Sequence, residues 1–412
     1  MFTPIERLPA QEVELRHERL RARLAQTCPQ AAGLLVFSRV NLYYLTGCMA
    51  NGLLWLPREG AAALLLRRGM ERARLESPLE RVLTFRSYGD LPGVLEDAGC
   101  PLPSGEPVAA EMSGLSWSLA NLLQKKLPGL GYVSGDQALT LARSVKTPYE
   151  MNKMTLAGER HHKALFEILP QHIRPGMNER QISHLAWEAF FSLGHAGIMR
   201  MNAFGEEIFL GHVSAGDSGN YPSMFNGPVG LRGEHPAAPF MGYAGKVWQT
   251  GEPLACDIGF SLEGYQTDKT QIYWAGPESS LPDEVKRAHQ FCLDIQEYLG
   301  ENLRPGVIPS ALYKDCMERA DKAGVNGAAG GFMALGGNKV TFLGHGIGLA
   351  IDEYPVIAKG FDQPLEEGNV LALEPKMGIP DLGMVGTENT WKVTPDGGVC
   401  LTGQDYSIIC VD

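Results

Sequence analysis

An α/β domain followed by a larger domain of helices and paired strands is the fold class that the sequence predicts, and three observations carry it. The chain has 412 residues, 44% of them hydrophobic, more apolar material than one compact domain usually holds. Short apolar runs alternate with helix-like stretches over roughly the first third. The charged, proline-containing segment RSVKTPYE at 143–150 then precedes a long amphipathic pattern starting near Met151, which sets two domains, 1–145 and 146–412.

In the first domain, apolar and charged residues recur at helical spacing from Glu12 to Gln26, and Ala32 to Ser38 reads as a buried strand. Tyr43, Tyr44 and Leu45 open a further apolar element closed by Gly47. LLWL at 53–56, AAALLL at 61–66 and PVAAEM at 107–112 follow as apolar runs, with a helix-like stretch at 116–127. In the second domain Ile173-Arg174-Pro175-Gly176 and Leu303-Arg304-Pro305-Gly306 each lie between helical segments, a weak sign of a duplicated unit. The stretch 203–250 is rich in Gly, Pro and Asn without periodicity, as segments bordering a site often are.

A net charge of −11 and a pI near 5.5 oppose a nucleic-acid partner or an acidic membrane surface. The eight cysteines are scattered with no CxxC pair, which fits reduced thiols. The first residues lack an apolar signal core, and no stretch approaches the roughly 20 apolar residues that span a bilayer, so a cytoplasmic protein is expected.

Residues 253–276 read as two strands joined by a tight turn. Centring the turn on Leu262 and Glu263, with Gly264 relieving the backbone, sets Asp257 directly opposite Asp268. Residues 369–393 repeat the device, with Glu374 and Glu388 placed symmetrically about Asp381. Between the hairpins, glycines at 344, 346 and 348 leave the backbone around His345 uncrowded. Carboxylates so close repel, and a shared proton or a cation between them removes the repulsion. Four acids and one imidazole are balanced by two divalent cations, and oxygen-rich ligands suit Mn, Zn, Co or Fe. Taken singly, Asp257 and Asp268 read more simply as turn or edge residues; two mirrored acid pairs inside apolar strands bring a metal site level with that reading.

The motifs DIG at 257–259, GYQTDKT at 264–270, GHGIG at 344–348, LEP at 373–375 and TEN at 387–389 resemble those of the pita-bread metallopeptidase family. That family includes prolidase, aminopeptidase P, methionine aminopeptidase and creatinase, and the resemblance covers about residues 145–405. LLVFSRVNLYYLTG at 34–47 and ARSVKTPYEM at 142–151 further resemble the N-terminal domain that methionine aminopeptidase lacks. The resemblance implies an α/β N-terminal domain and an α+β pita-bread catalytic domain, with a six-stranded curved sheet of pseudo-twofold symmetry. It also implies that Asp257 binds one ion, that Asp268 and Glu388 bridge two, and that His345 and Glu374 bind the other. All five positions keep a ligand type, which argues against the metal-free creatinase chemistry.

Three positions depart from the Xaa-Pro peptidase pattern. Ser223 and Asp352 stand where pocket histidines are expected, and Gly386 stands where aminopeptidase P commonly has an arginine. His212 and His235 are candidate substitutes, though each reads more simply as a surface histidine, as do His161 and His162. The leading expectation is a homodimeric Xaa-Pro dipeptidase-like or aminopeptidase-like hydrolase acting on small peptides. In it a hydroxide bridging the ions attacks the amide carbonyl, Glu374 shuttles the proton, and Ser223 and Asp352 line the pocket. The alternatives keep the site but change the substrate to a non-peptide amide or polar metabolite, or make the chain a non-catalytic pita-bread binding protein.

Overall fold

The computed structural model describes residues 2–202, 207–325, 331–335 and 339–412, so positions 203–206 of the irregular 203–250 stretch lie outside the described residues. The chain divides into two compact units, Met1–Arg143 and Ser144–Asp412.

The first unit is a six-stranded mixed sheet with helices. Its strands are β1 (Gly33–Val36), β2 (Asn51–Pro57), β3 (Ala63–Arg68), β4 (Val82–Thr84), β5 (Val108–Ala110) and β6 (Tyr132–Ser134), in the order β4-β3-β2-β1-β5-β6. Its helices are α1 (Ala10–Thr27), α2 (Arg39–Thr46), α3 (Met70–Glu76), α4 (Leu91–Asp97), α5 (Trp117–Lys126) and α6 (Asp136–Ser144). The apolar runs read from the sequence become β2, β3 and β5, and Leu35, Leu53, Trp55 and Leu65 pack with Leu91, Leu95 and Leu123 into one core. Ser38 caps α2 by accepting from the Asn41 amide at 3.3 Å.

Within α1, His17 is buried and its Nε2–H donates to the Leu45 carbonyl at 2.8 Å. Burial first, with Arg21 and Arg16 adding to it, lowers its pKa from 6.5 to about 4. A depressed histidine contributes stability that is present above its unfolded pKa and is lost as pH falls towards the folded one. The wild type is therefore expected to lose about 3 kcal/mol through this residue between neutral pH and about pH 4. Denaturant unfolding of His17→Gln, whose amide keeps the donor, should be correspondingly less acid-sensitive; equal slopes would remove His17 from this account.

The second unit begins with α7 (Pro148–His162), whose capping box pairs Thr147 with Glu150 and whose Pro148 occupies the first turn. After α8 (Glu179–Ser192) come a short pair, β7 (Met199–Arg200) and β8 (Glu207–Ile208), then β9 (Gly211–Ala215), β10 (Pro253–Leu262) and β11 (Tyr265–Ala275). Helices α9 (Asp283–Asn302) and α10 (Pro309–Lys322) precede β12 (Phe342–Gly346), β13 (Glu353–Ala358), β14 (Val370–Leu373), β15 (Lys376–Ile379) and β16 (Gly383–Gly386). The chain finishes with β17 (Asn389–Thr394), β18 (Gly397–Cys400) and β19 (Ile409–Val411).

A four-stranded sheet, β19-β11-β10-β9, meets a five-stranded one, β13-β12-β14-β17-β18, through an isolated bridge between Thr270 and Glu388. Outward from that bridge β11, β10 and β9 follow one another on one side and β17, β14 and β12 on the other. Each RPG segment turns the chain between helical elements, ahead of α8 in one half and of α10 in the other, with Gly176 and Gly306 at φ 93° and 88°. Ile182, Ala186 and Phe190 of α8 pack against β9 and β10, while Val285, Cys292 and Leu299 of α9 pack with Leu371 and Val385. The sheets are thus backed by helices on the side away from the site. All eight cysteines are free, and no described helix is long and apolar enough to cross a membrane.

Candidate metal centre and pocket

The β10–β11 hairpin differs from the sequence expectation by two positions of register. Leu262 pairs with Tyr265, so Glu263 and Gly264 form the turn, at φ 52° and 91°. A two-residue hairpin turn that matches the right-handed strand twist needs positive φ at both central positions, and glycine adopts it most cheaply. The turn therefore centres one residue later than expected. Asp257 faces Thr270 and Asp268 faces Gly259, making the two aspartates diagonal neighbours rather than direct partners. Because the shift is an even number of residues, both remain on one face of the sheet.

The second hairpin keeps the expected symmetry. Leu373 pairs with Asn389 and Lys376 with Gly386, which leaves Glu374 and Glu388 opposite one another, and Asp381 sits in the turn at φ 59°. His345 on β12 lies beside Ala372 of β14. Its Nδ1 is 3.0 Å from the Gly346 carbonyl, an acceptor only, so Nδ1 carries a proton and Nε2 is the nitrogen left to serve as a metal ligand. That Nε2 lies 3.5 Å from Glu374 Oε1 and 3.8 Å from Glu388 Oε1.

Among the described residues, Asp268, His345 and Glu388 bring ligand atoms within 4.8 Å of one another, a group able to hold a divalent ion. Glu374 adjoins it through His345. Asp257 is held differently: Thr270 Oγ1 lies 2.9 Å from its Oδ1, and Lys376 Nζ lies 3.3 Å from its Oδ2. Thr270 is also 3.0 Å from Glu388 Oε2, yet its single hydroxyl proton can serve only one of the two carboxylates.

Lys376 is absent from the sequence-derived site. It follows Glu374 by two residues, the spacing that puts strand residues on one face, and this alternation was the available signal. It is fully buried, with Nζ 3.0 Å from Glu374 Oε2 and 2.6 Å from Glu388 Oε2. The balance of four acids against two ions omitted this positive charge.

Burial pushes Asp268 up to about 7, and the charge of Asp257 adds to the effect. Burial also pushes Asp257 up, but Lys376 and then His212 outweigh it and leave the carboxyl at about 2. Glu388 is held well above the ordinary carboxylate range by burial and by Asp268 and Glu374. For Lys376 burial favours the neutral amine, and the charges of Asp257, Glu388 and Glu374 overcome it to keep the ammonium.

Asp257, Asp268, His345, Glu374 and Glu388 line a cavity of about 280 Å³ whose other walls include Met199, Leu210, Phe225 and Ile351. Asp352 lines it, accepting from the Asn202 amide at 2.5 Å. Ser223 does not: it lines a neighbouring cavity of about 230 Å³, and its Oγ accepts from the Phe225 amide at 3.1 Å. His212 was read as a surface residue and is buried instead. It sits on β9 as the register partner of Asp257, faces the cavity, and has no close hydrogen-bond partner for either ring nitrogen among the described residues. A histidine inside the apolar β9 run was the signal for this. His235 is exposed. His161 is buried too, near Thr267 Oγ1 at 3.1 Å and against Phe190 and Phe260, because α7 turns that face towards β10 and β11. His162 is half-buried. At Gly386, φ is 120° and a Cβ would come within 2.6 Å of the Pro375 carbonyl and Lys376 Cα, so this backbone excludes any side chain.

Residues 152–395 match metallopeptidase family M24, and residues 16–145 match the Creatinase/Prolidase N-terminal domain. The probable dipeptidase PepE of Mycobacterium tuberculosis is 27% identical over 393 residues, 92% of each chain. The Xaa-Pro dipeptidase of Pyrococcus furiosus is 23% identical over 372 residues, 90% of this chain and 93% of its own. Among solved structures, the dipeptidase PepE from Mycobacterium ulcerans superposes with a TM-score of 0.77 at 22% identity, covering 98% of this chain and 100% of that one. The X-Pro aminopeptidase from Thermotoga maritima does so with 0.75 at 24% identity, covering 96% and 99%. The shared fold is the pita-bread fold with its preceding α/β domain. With the first of these matches spanning more than half of its length, this chain belongs to metallopeptidase family M24.

Proposed function

We propose that the protein is a metal-dependent hydrolase that cleaves an amide bond in a small substrate, Xaa-Pro dipeptides being the leading class. The convergence of Asp268, His345 and Glu388 ligand atoms within 4.8 Å, in the wall of a cavity of about 280 Å³, carries this reading. The dipeptidases and Xaa-Pro dipeptidases among its relatives support it. A cytoplasmic homodimer belongs to the same proposal.

In it, Asp268, His345 and Glu388 would hold a divalent metal, Mn, Zn, Co or Fe, with Glu374 beside it. When bound, such an ion lowers the pKa of water and polarises the carbonyl to be attacked. Glu374 takes a proton at Oε1 and returns it to the leaving amine, its Oε2 being engaged by Lys376. His212 offers an imidazole N–H from the cavity wall to the substrate carbonyl. The apolar wall around Met199, Phe225 and Ile351 takes an uncharged side group of the substrate.

Asp352 favours a second reading of the same chemistry, in which the substrate is a non-peptide amide or polar metabolite carrying a positive charge. Metal-supplemented protein should be assayed against Xaa-Pro dipeptides, other dipeptides and small non-peptide amides. Cleavage of at least one amide that stops on chelation is expected. A folded, metal-loaded sample that cleaves none of them would sink the hydrolase reading and leave a binding protein.

A further inference from the structure

Lys376 divides the site in two. Its Nζ has three N–H donors and three carboxylate neighbours: Asp257 Oδ2 at 3.3 Å, Glu374 Oε2 at 3.0 Å and Glu388 Oε2 at 2.6 Å. Each glutamate thereby turns Oε2 to the ammonium and Oε1 towards His345 Nε2. The lysine side chain has no exposed surface, so it fills its space and leaves water no part in solvating the charge.

Asp257 accepts from Lys376 at Oδ2, and its Oδ1 lies 2.9 Å from the Thr270 hydroxyl that it shares with Glu388. The described ligand atoms that lie within reach of one ion belong to Asp268, His345 and Glu388, and Asp257 is outside that group. A divalent ion joining Asp257 to Glu388 would have to displace the ammonium from those same oxygens or stand beside it, with two cations at close quarters in a buried place. The residues present therefore fit one ion at the His345 end and do not fit a second at the Asp257 end.

We propose that Lys376 is a built-in cation that takes the place of one of the two divalent ions, so that the chain holds a single ion at Asp268, His345 and Glu388, beside Glu374. The proposal deepens the hydrolase reading and rests on it. Lys376 is then a positioning residue: it fixes Asp257 and one oxygen of each glutamate, leaving the other oxygens for the ion and for proton transfer. Four carboxylates, one ammonium and one divalent ion leave a single net negative charge, whereas two ions would leave a positive one. A net negative site draws a cationic substrate group, the same preference that Asp352 expresses.

Metal-free protein saturated with Mn²⁺ should be measured for bound metal by elemental analysis and calorimetry, and its paramagnetic resonance spectrum recorded. The wild type is expected to bind one ion per chain with the spectrum of an isolated ion. Lys376→Ala, which removes the charge and opens its space, should bind two and show the spectrum of a spin-coupled pair. Two coupled ions in the wild type would overturn the proposal while leaving the hydrolase reading intact, as would one ion in both proteins. No bound ion in a wild type that also cleaves no amide would overturn the hydrolase reading itself. Should Lys376→Ala fail to fold, the stoichiometry and spectrum of the wild type still decide the matter.

Discussion

Asp268→Asn and Glu388→Gln are each expected to lower amide-hydrolysis kcat/KM by roughly 10²–10³-fold or more, the scale on which one transition-state contact acts, because each also removes a ligand to the ion. Both residues belong to the three-residue group able to hold an ion, and Glu388 also binds Lys376, so its replacement disturbs two cations. The loss should come from the site and not from unfolding. Asp268 is crowded by burial and by Asp257, which raises its carboxyl to about 7, and an amide there relieves that repulsion in the metal-free protein. Thermal unfolding of the metal-free variant should accordingly be no worse than that of the wild type, while bound metal falls. Unchanged turnover in either variant would defeat the assignment, and a metal-free variant that unfolds much earlier would make the loss structural.

The second large effect concerns Asp352. A carboxylate lining the cavity accepts hydrogen bonds, donates none when ionised, and opposes an oxyanion forming nearby. Ser223, the other departure, opens into a neighbouring cavity and does not make up for a missing donor. Neutral Xaa-Pro substrates should therefore be cleaved roughly 10²–10³-fold more slowly than by a relative with histidines at both positions, the loss typical of one missing donor. Substrates with a positive charge near the reacting carbonyl should be preferred. Asp352→His should raise kcat for neutral substrates and erase the preference. Strong cleavage of neutral Xaa-Pro substrates by the wild type, with no gain for cationic ones, would show that Asp352 does not shape the pocket.

Much of this site was legible before the structure. The acids stand inside apolar strand runs, where an unpartnered charge is costly, so their positions alone announced a partner. The mirrored spacing of Glu374 and Glu388 survived intact because their hairpin turns about the residue that the spacing marks, Asp381. The spacing of Asp257 and Asp268 survived only as a shared face. Turn conformation sets register, and the preference for Glu263 and Gly264 at positive φ outweighed a turn one residue earlier.

The histidines and Lys376 mark where local patterning stops. His161 and His162 are neighbours in one helix, and only the packing of α7 on β10 and β11 distinguishes the buried ring from the half-buried one. His212 becomes a pocket residue through its pairing with Asp257, which lies 45 positions away and belongs to another strand. A lysine is ordinarily solvated, and its complete burial is tolerable only where opposite charges surround it.

The sequence by itself determined the order of the two domains, the main strands and the placing of four acids inside apolar runs on either side of His345, because period-two alternation, glycine turns and the cost of burying acids act over a few residues. Tertiary structure alone decided the diagonal placement of Asp257 and Asp268, the entry of His212 into the pocket, the exclusion of Ser223 from it and the ammonium among the carboxylates. Those depend on which distant oxygens and rings share a few ångströms of low-dielectric space, where the strength of each charge is set by the others and not by its own neighbours in the chain.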